Sequence, residues 1–579
     1  MQTFIKTYKN ELILGFFIFV SFYLGLGYYA LENINEGLYA EIPREMILNK
    51  NFIIPTLNFV PYFEKPPLLY WLISISYGVF GLNEFAARFI PATSAAIIPI
   101  MTYYFLKRII NERTGFIAAI ILATNTLFVL MGRIVLFDML LTALFTAGMY
   151  CFYLWYQSDH KFYLRFAYLF LAFAVLAKGL MIFIFAPIIT LIFMGLNKTP
   201  FHKQIQLFDP IGIILFFLVS APWHILASIQ NSEFAWQYFI NEHVLRFLDK
   251  RVPNDYHHGP WYFYFPRILV YILPWTLLSP LLLKPASNKL LNRLCWTWFL
   301  TILIFFSISK AKGDYYLIMG IPPLVILLAD RISNANYSKH FLPVVYTLVT
   351  SLMFLFLLVL WVGSFNVDFA QHLPEKLRIE SFLTLPLGIL LGFIGVYFVF
   401  SVIFYRHILI NKSLQVVLYA ALMIPLVLFL LVDKKHFEFR FSEKANAELI
   451  RGADANLMEI PAPLSETLRI SSRAEMTARG VYIYKHYEDL SSITFYLRRR
   501  VAIIDSKSHD LYFGSTQPEA KGWFVSLSDI QNRLQDGPIF ILVKKGNYTS
   551  LARKLTNKTL TILSDNGNVY LTSLGFSRS

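Results

Sequence analysis

Apolar runs of about 20 residues, the length that crosses the hydrocarbon core of a bilayer, recur along the chain with short polar breaks between them. They predict spans at 12–31, 85–106, 114–131, 136–157, 162–177, 179–196, 209–229, 262–283, 291–308, 314–330, 341–364, 381–405 and 413–432. One further run, Leu68–Phe80, is short for a span and reads as a re-entrant or interfacial helix. Loop charge supports leaving it out. Without it, Lys107, Arg108 and Arg113, Lys161 and Arg165, Lys198 and Lys203, Lys284, Lys289 and Arg293, Arg331 and Lys339, and Arg406 and Lys412 share the side of the N-terminus, which the positive-inside rule makes the cytoplasm. Counted as a span, it turns all of them outward. The expectation is thirteen spans, N-terminus inside and C-terminus outside. Leu12–Ala30 carries no small-residue cleavage pattern after it and reads as a retained span.

Past Asp433 the pattern changes period. Val481–Tyr484, Val501–Ile504, Ile539–Val543 and Thr559–Leu563 read as strands, alternating with helical stretches at Leu527–Leu534 and Thr549–Leu555. Residues 1–432 are therefore expected to form the membrane domain, and 433–579 a small α/β domain on the outer face.

Composition agrees with a polytopic α-helical membrane protein. The 579 residues are 56% hydrophobic and only 15% charged. The net charge of +15 would suggest nucleic acid in a soluble protein; here loop lysines and arginines account for much of it, and no nucleic-acid partner is expected. Cys151 and Cys295 lie in or beside apolar runs without metal-ligand spacing.

Five polar clusters then arrive at one outer level: the stretch 32–84, Arg133 with Asp138, the Lys178-Gly179 junction, the loop 230–260, and Ser309–Tyr316. Ionisable groups so near hydrocarbon cost several kcal/mol each unless paired, wetted or working, at roughly the insertion cost of a charge. Glu36 is a candidate base, or a partner for Arg44 or Lys65. Lys65 in Glu64-Lys-Pro-Pro67 suits a lipid-borne phosphate, with snorkelling as its plain alternative. Arg133 and Asp138 are expected to form a buried ion pair, Lys178 either to help hold phosphate or only to cap the run before it, and Lys310, Lys312 and Tyr316 to add phosphate-binding charge and hydroxyls; Arg246 follows His243 in the long loop. His243, His257 and His258 share the long loop with no i, i+4 pair bracketing an acid, so a metal centre with Glu64 has little support from spacing. No nucleotide-binding glycine motif is present. Acids, excess cations and aromatics under an apolar bundle suit an amphiphile with a phosphate head.

The runs NEGLYAEIPREM, YFEKPPLLYW, FGLNEFAARF, GRIVLFDMLLT, LAKGL, NEHVLRF, HHGPWYFYFP, LPWTLLSP, FFSISKAK, YEDLSSITFYLRRRV and LYFG resemble, in collinear order over essentially the whole chain, the lipid A 4-amino-4-deoxy-L-arabinose transferase-like family. That family has the GT-C fold and is related to protein O-mannosyltransferases. The resemblance implies an inverting glycosyltransferase of the bacterial inner membrane. It would move a sugar, an aminosugar such as aminoarabinose or a hexosamine, from a polyprenyl-phosphate carrier to lipid A or another envelope acceptor at the outer, periplasmic face. It also implies that Lys65 holds the carrier phosphate beside Tyr39 and Tyr62, and that Glu64 binds a divalent cation (zinc, magnesium or manganese) with His257, then His258 and His243 behind it. Two positions depart from the family pattern: Asn35 stands where the family has a catalytic Asp, and Leu38 where Arg is common. An amide cannot take a proton, so either Glu36 serves, or the acceptor is already an anion, or the chain is catalytically weak. A protein O-glycosyltransferase of the same fold, a flippase and a non-catalytic lipid-linked sugar binder are the alternatives.

Overall fold

Asparagine side chains start several of the long helices. Asn83 accepts from the Ala86 N–H at 2.8 Å, Asn111 from Thr114 at 2.8 Å and Asn288 from Leu291 at 3.0 Å. The computed structural model describes residues 8–254, 258–334, 441–453, 477–533, 539–555 and 559–575. The expected spans at 341–364, 381–405 and 413–432 lie outside them.

Among the described residues, Glu84–Ile109, Phe137–Ser158, Phe201–Gln230, Lys289–Ile308 and Tyr316–Asn334 are long and apolar enough to cross a membrane. Tyr264–Tyr271 and Trp275–Leu283 form a further pair, bent by 114°. This corrects the single span expected at 262–283. Pro274 lacks an N–H and disfavours helix at the residue before it, so the chain turns there. The span expected at 114–131 is likewise broken at Asn125, whose side chain accepts from the Phe128 N–H at 3.0 Å and donates to the Leu122 carbonyl at 2.9 Å. Leu68–Phe80 is a 13-residue helix, about 20 Å long at 1.5 Å per residue against the roughly 30 Å of hydrocarbon.

The two ends of the bundle differ. At one end the basic loops cross-link: Lys161 and Arg165 meet Asp209 at 3.7 and 3.0 Å, Lys203 meets Asp159 at 2.7 Å, and Arg293 donates to Asn197 at 2.7 Å. At the other end lie the stretch 32–67, the starts of the helices at Glu84 and Phe137, and the C-terminal sheet.

That sheet has the order β5-β4-β3-β6-β8-β7, with β3 Thr477–Tyr484, β4 Arg500–Ile504, β5 Phe524–Val525, β6 Ile539–Lys544, β7 Thr559–Asp565 and β8 Val569–Gly575. The pairs β3–β4, β3–β6 and β4–β5 are parallel, and β6–β8 and β7–β8 antiparallel. Pleating sends alternate residues to opposite faces. Tyr482, Tyr484, Ile504 and Ile541 pack under the domain's own helices, whereas Val481, Ile483, Val501 and Leu542 join Leu38, Tyr39, Leu57, Tyr62 and Phe137 in one core. The sheet and the stretch after the first helix therefore share their interior.

Close backbone approach makes that docking specific. A Cβ on Gly37 would lie 2.4 Å from the Ser492 nitrogen, and one on Gly514 would lie 2.4 Å from Val60 Cγ2. Asn58 exchanges both hydrogen bonds with the Val501 backbone, at 2.8 and 2.9 Å. Asn33 accepts from the Ser492 hydroxyl at 2.7 Å and donates to Glu443 at 3.2 Å.

Glu36 and Arg88 anchor the whole end. Arg88 Nε and Nη2 donate to the two Glu36 oxygens at 2.7 and 2.6 Å, and its remaining hydrogens go to the carbonyls of Leu26, Tyr29 and Ala30. Removing one partner of a buried pair strands the other, which costs about 3–5 kcal/mol. Arg88→Ala is therefore expected to lower the thermal midpoint in detergent by several degrees or to abolish folding. An Arg88→Met, Glu36→Leu double variant is expected to regain part of the loss, and a double variant no more stable than Arg88→Ala would count against a stranded carboxylate as the cause.

Candidate functional site

The polar clusters expected at one level do meet there. Lys65 precedes Pro66 and Pro67 at the head of the helix Leu68–Phe80, and donates to the Glu64 carbonyl at 3.1 Å. Glu64 accepts from Arg251 at 2.7 Å; Arg251 donates to Glu242 at 2.7 Å, and Glu242 lies 3.4 Å from Arg246. A chain of alternating charge thus runs from the stretch after the first helix into the long loop. Lys178, the last residue of the helix Lys161–Lys178, is ion-paired to Asp138 in the first turn of the helix Phe137–Ser158. Its Nζ also lies 5.2 Å from the ring centres of Tyr315 and Tyr316, within cation–π range. Gly179 takes a φ of 106°, and a Cβ there would lie 2.5 Å from His243 Nε2. That glycine lets the backbone pass beneath the histidine.

Electrostatics separate these groups. Burial pushes the Lys65 ammonium down to about 8, helped by Arg246 and Lys178 and opposed by Glu64 and Glu242. Burial alone would raise Glu64, but Arg251, Lys65 and Arg246 outweigh it and hold it below the usual carboxylate range. For Glu242 burial wins, with Glu64 adding to it, and the carboxyl is raised. Burial takes His243 down to about 4 and keeps it neutral, with Nδ1–H donating to the Tyr238 carbonyl at 2.6 Å and Nε2 accepting from Leu180 N–H at 3.3 Å.

The structure brings together Tyr39, Tyr62, Lys65, Asp138, Lys178, Arg246 and Tyr316 of the expected substrate residues, and several others prove to do structural work. Glu36, the candidate base, is buried against Arg88 and also accepts from the Glu32 and Val135 N–H groups at 3.0 and 3.1 Å. Arg133 does not pair with Asp138. It donates to the carbonyls of Ser21 and Leu24 at 3.2 and 2.8 Å, satisfying acceptors that the end of the first helix leaves open. Arg44 is held by Glu41 at 2.5 and 2.8 Å. Lys312 caps the helix Lys289–Ile308 through the carbonyls of Phe306, Ser307 and Ser309. Lys310 sits on an exposed rim with Asp249 and His258, at 3.4 and 3.3 Å from that carboxylate. Asn35 heads the helix Glu36–Asn49, half-buried, without capping it.

The expected cation site does not assemble from the described residues. Glu64 is engaged by Arg251, His258 by Asp249, and His243 by Tyr238 and Leu180, so these three do not converge; His257 lies outside the described residues. The one group of metal-type ligands that does converge among the described residues is His486, Glu488 and Asp489, on the sheet domain. There Asp489 already pairs with Lys544 at 2.5 Å. Sequence reasoning missed Arg251, whose role depends on a fold of the loop that no spacing encodes.

Residues 64–225 match the family described as dolichyl-phosphate-mannose-protein mannosyltransferase. The chain is 30% identical over 387 residues to the undecaprenyl phosphate-alpha-4-amino-4-deoxy-L-arabinose arabinosyl transferase of Enterobacter sp., covering 63% of this chain and 68% of that one. To the protein of the same name from Erwinia tasmaniensis it is 30% identical over 338 residues, 56% of this chain, and the match spans 60% of that relative's length. The crystal structure of ArnT from Cupriavidus metallidurans bound to undecaprenyl phosphate superposes with a TM-score of 0.78 over 97% of both chains, at 19% identity. The two share a fold.

Lys65 yields a pH prediction. It is a cation below about 8 and neutral above. A charged hydrogen bond contributes about 1.5–3 kcal/mol, so affinity for a lipid phosphate monoester is expected to fall about tenfold or more between pH 7.5 and 9.5. Titration calorimetry in detergent measures it. Lys65→Arg, charged throughout, is expected to flatten the profile; a wild-type affinity unchanged over that range would remove Lys65 from phosphate binding.

Proposed function

Because the chain belongs to the family of undecaprenyl phosphate-alpha-4-amino-4-deoxy-L-arabinose arabinosyl transferases, we propose that it moves an aminosugar of the aminoarabinose type from a polyprenyl-phosphate carrier onto lipid A. The reaction would take place at the outer face of the bacterial inner membrane. This reading has the chain spanning the membrane thirteen times, with the N-terminus in the cytoplasm and the sheet domain in the periplasm. The positive-inside bias of its loops supports that orientation.

The observation that carries the proposal is the gathering of Lys65, Lys178 and Arg246, far apart in sequence, with tyrosines at the end of the bundle beneath the sheet. In the transfer, an acceptor oxygen attacks the anomeric carbon, the bond from that carbon to the carrier phosphate oxygen breaks, and the phosphate leaves with its electrons. Fixed cations in a dry site stabilise the charge that develops on that oxygen, and cost no reorganisation when it forms. Lys178 is held by Asp138 and the two tyrosines, and Lys65 by the Glu64 carbonyl. Both are placed before substrate arrives.

Asn35 directs the choice of acceptor. An amide takes no proton, and the neighbouring Glu36 is committed to Arg88. A nucleophile that is already an oxyanion, such as the phosphate of lipid A, needs no base, whereas a protein hydroxyl does. This favours lipid A over a protein acceptor. No step is assigned to a divalent cation; Arg251 supplies positive charge at Glu64.

Mass spectrometry of lipid A from cells with and without the chain tests the proposal. A pentosamine-sized addition is expected to disappear on deletion, and to fall about 100-fold in Lys65→Ala and in Lys178→Met, as for loss of a preorganised transition-state contact. Unchanged lipid A on deletion would reject the acceptor, and full activity in both variants would reject the site.

A further inference from the structure

Lys65 follows a carboxylate in the chain and does not pair with it. Its Nζ donates to the Glu64 main-chain carbonyl at 3.1 Å, while the Glu64 side chain turns to Arg251 at 2.7 Å. Arg246 repeats the pattern. Glu242, one helical turn before it, meets Arg246 at 3.4 Å but Arg251 at 2.7 Å, and a charge-assisted bond normally closes to about 2.7–2.9 Å. In both cases the acid beside a site cation is taken by the same guanidinium.

Arg251 is placed to hold two acids at once. Its side chain is 4% exposed, its Nη2 and Nε go to Glu64 and Glu242, and its Nη1 donates to the Pro253 carbonyl at 3.3 Å. A planar fork reaches both carboxylates in one fixed geometry, which a point-charge ammonium does not. Apolar packing brings the two acids near each other. Phe63, next to Glu64, packs on Phe234 with ring centres 5.0 Å apart, just before the helical segment Trp236–Leu245 that carries Glu242. Carboxylates drawn together in this way repel unless a cation stands between them. Arg251 stands there.

We propose that Arg251 is a positioning residue for the transfer: by holding the carboxylates of Glu64 and Glu242, it leaves Lys65 and Arg246 to the carrier phosphate. The inference rests on the transferase reading above. Arg251 acts through those two cations and does not touch the substrate itself. Without it, two buried carboxylates lose their partner, and an unpaired charge in such a place is strongly unfavourable. The cations nearest to them in the chain are Lys65 and Arg246. The site would then be neutralised from within, although every group that meets the phosphate is still present.

Calorimetric titration of the full-length proteins with undecaprenyl phosphate in detergent tests the proposal. In Arg251→Met the affinity is expected to fall about 30-fold, the worth of one charged hydrogen bond. Adding Glu64→Gln and Glu242→Gln to that variant is expected to restore about tenfold or more, because no acid remains to capture the cations. A residue that only ties two segments together gives the opposite result, since the tie is absent from the triple variant as well. A triple variant that binds as weakly as Arg251→Met, or that does not fold, overturns the proposal, and so does wild-type affinity in Arg251→Met. If Arg251→Met itself does not fold, the triple variant decides: affinity within about tenfold of wild type upholds the proposal, and affinity as low as that of Lys65→Ala overturns it. Wild type that binds the carrier but transfers no sugar to lipid A would instead overturn the transferase reading, while the same titrations still decide the part played by Arg251.

Discussion

A guanidinium with no exposed surface ties together the end of the molecule where the site lies. Arg88 spends every donor on Glu36 and on the carbonyls of Leu26, Tyr29 and Ala30, while its face stacks over the Tyr29 ring at 4.1 Å. Chain leaving the first helix would otherwise carry unpaired carbonyls into a dry interior, where each orphan costs as much as a lost hydrogen bond. Arginine suits the task because its planar fork is always charged and offers five donors. By fixing Glu36 it fixes the start of the helix Glu36–Asn49, and through the Val135 N–H it sets the approach to Asp138. Tyr39 and Asp138 keep their places only while that anchor holds.

Around this anchor the site is built from compensated charge. Arg251 answers two carboxylates, Asp138 answers Lys178, and the tyrosine rings lie over the same ammonium. Such pairing lets cations persist in a desolvated place without being neutralised. Lys65 has the least compensation, and its ammonium is the one pushed down to about 8. The group best placed to meet a phosphate is thus also the one that gains most from meeting it.

The sheet domain completes the arrangement. It shares an interior with the stretch 31–77, it depends on glycines where Ser492 and Val60 come too near for a side chain, and it holds the long loop through His509 and Gln517. Separating the sheet from the bundle would expose the wall that carries Tyr39 and Tyr62. The two parts of the chain form one working unit, although composition divides them sharply near Asp433.

What the sequence determined by itself was whatever follows from local periodicity and local chemistry. Apolar runs located the helices at Glu84–Ile109, Phe137–Ser158 and Lys289–Ile308, and Val481–Tyr484 and Ile539–Val543 read as strands because alternation and β-branching are properties of neighbouring residues. The short length of Leu68–Phe80 set it apart for the same reason. Lys65 and Lys178 were legible as candidate site residues because a lysine at the edge of an apolar run is costly wherever the chain goes. Partnership was decided only by tertiary structure. Nothing in the spacing distinguishes Glu36 with Arg88, 52 residues apart, from Glu36 with Arg44 or Lys65. Lys312 looked like another phosphate ligand until three carbonyls at a helix end claimed it, and Arg133 looked like the partner of Asp138 until the first helix presented its own open carbonyls. Pairing energies depend on distance and burial between segments remote in sequence, and those are set when the core closes.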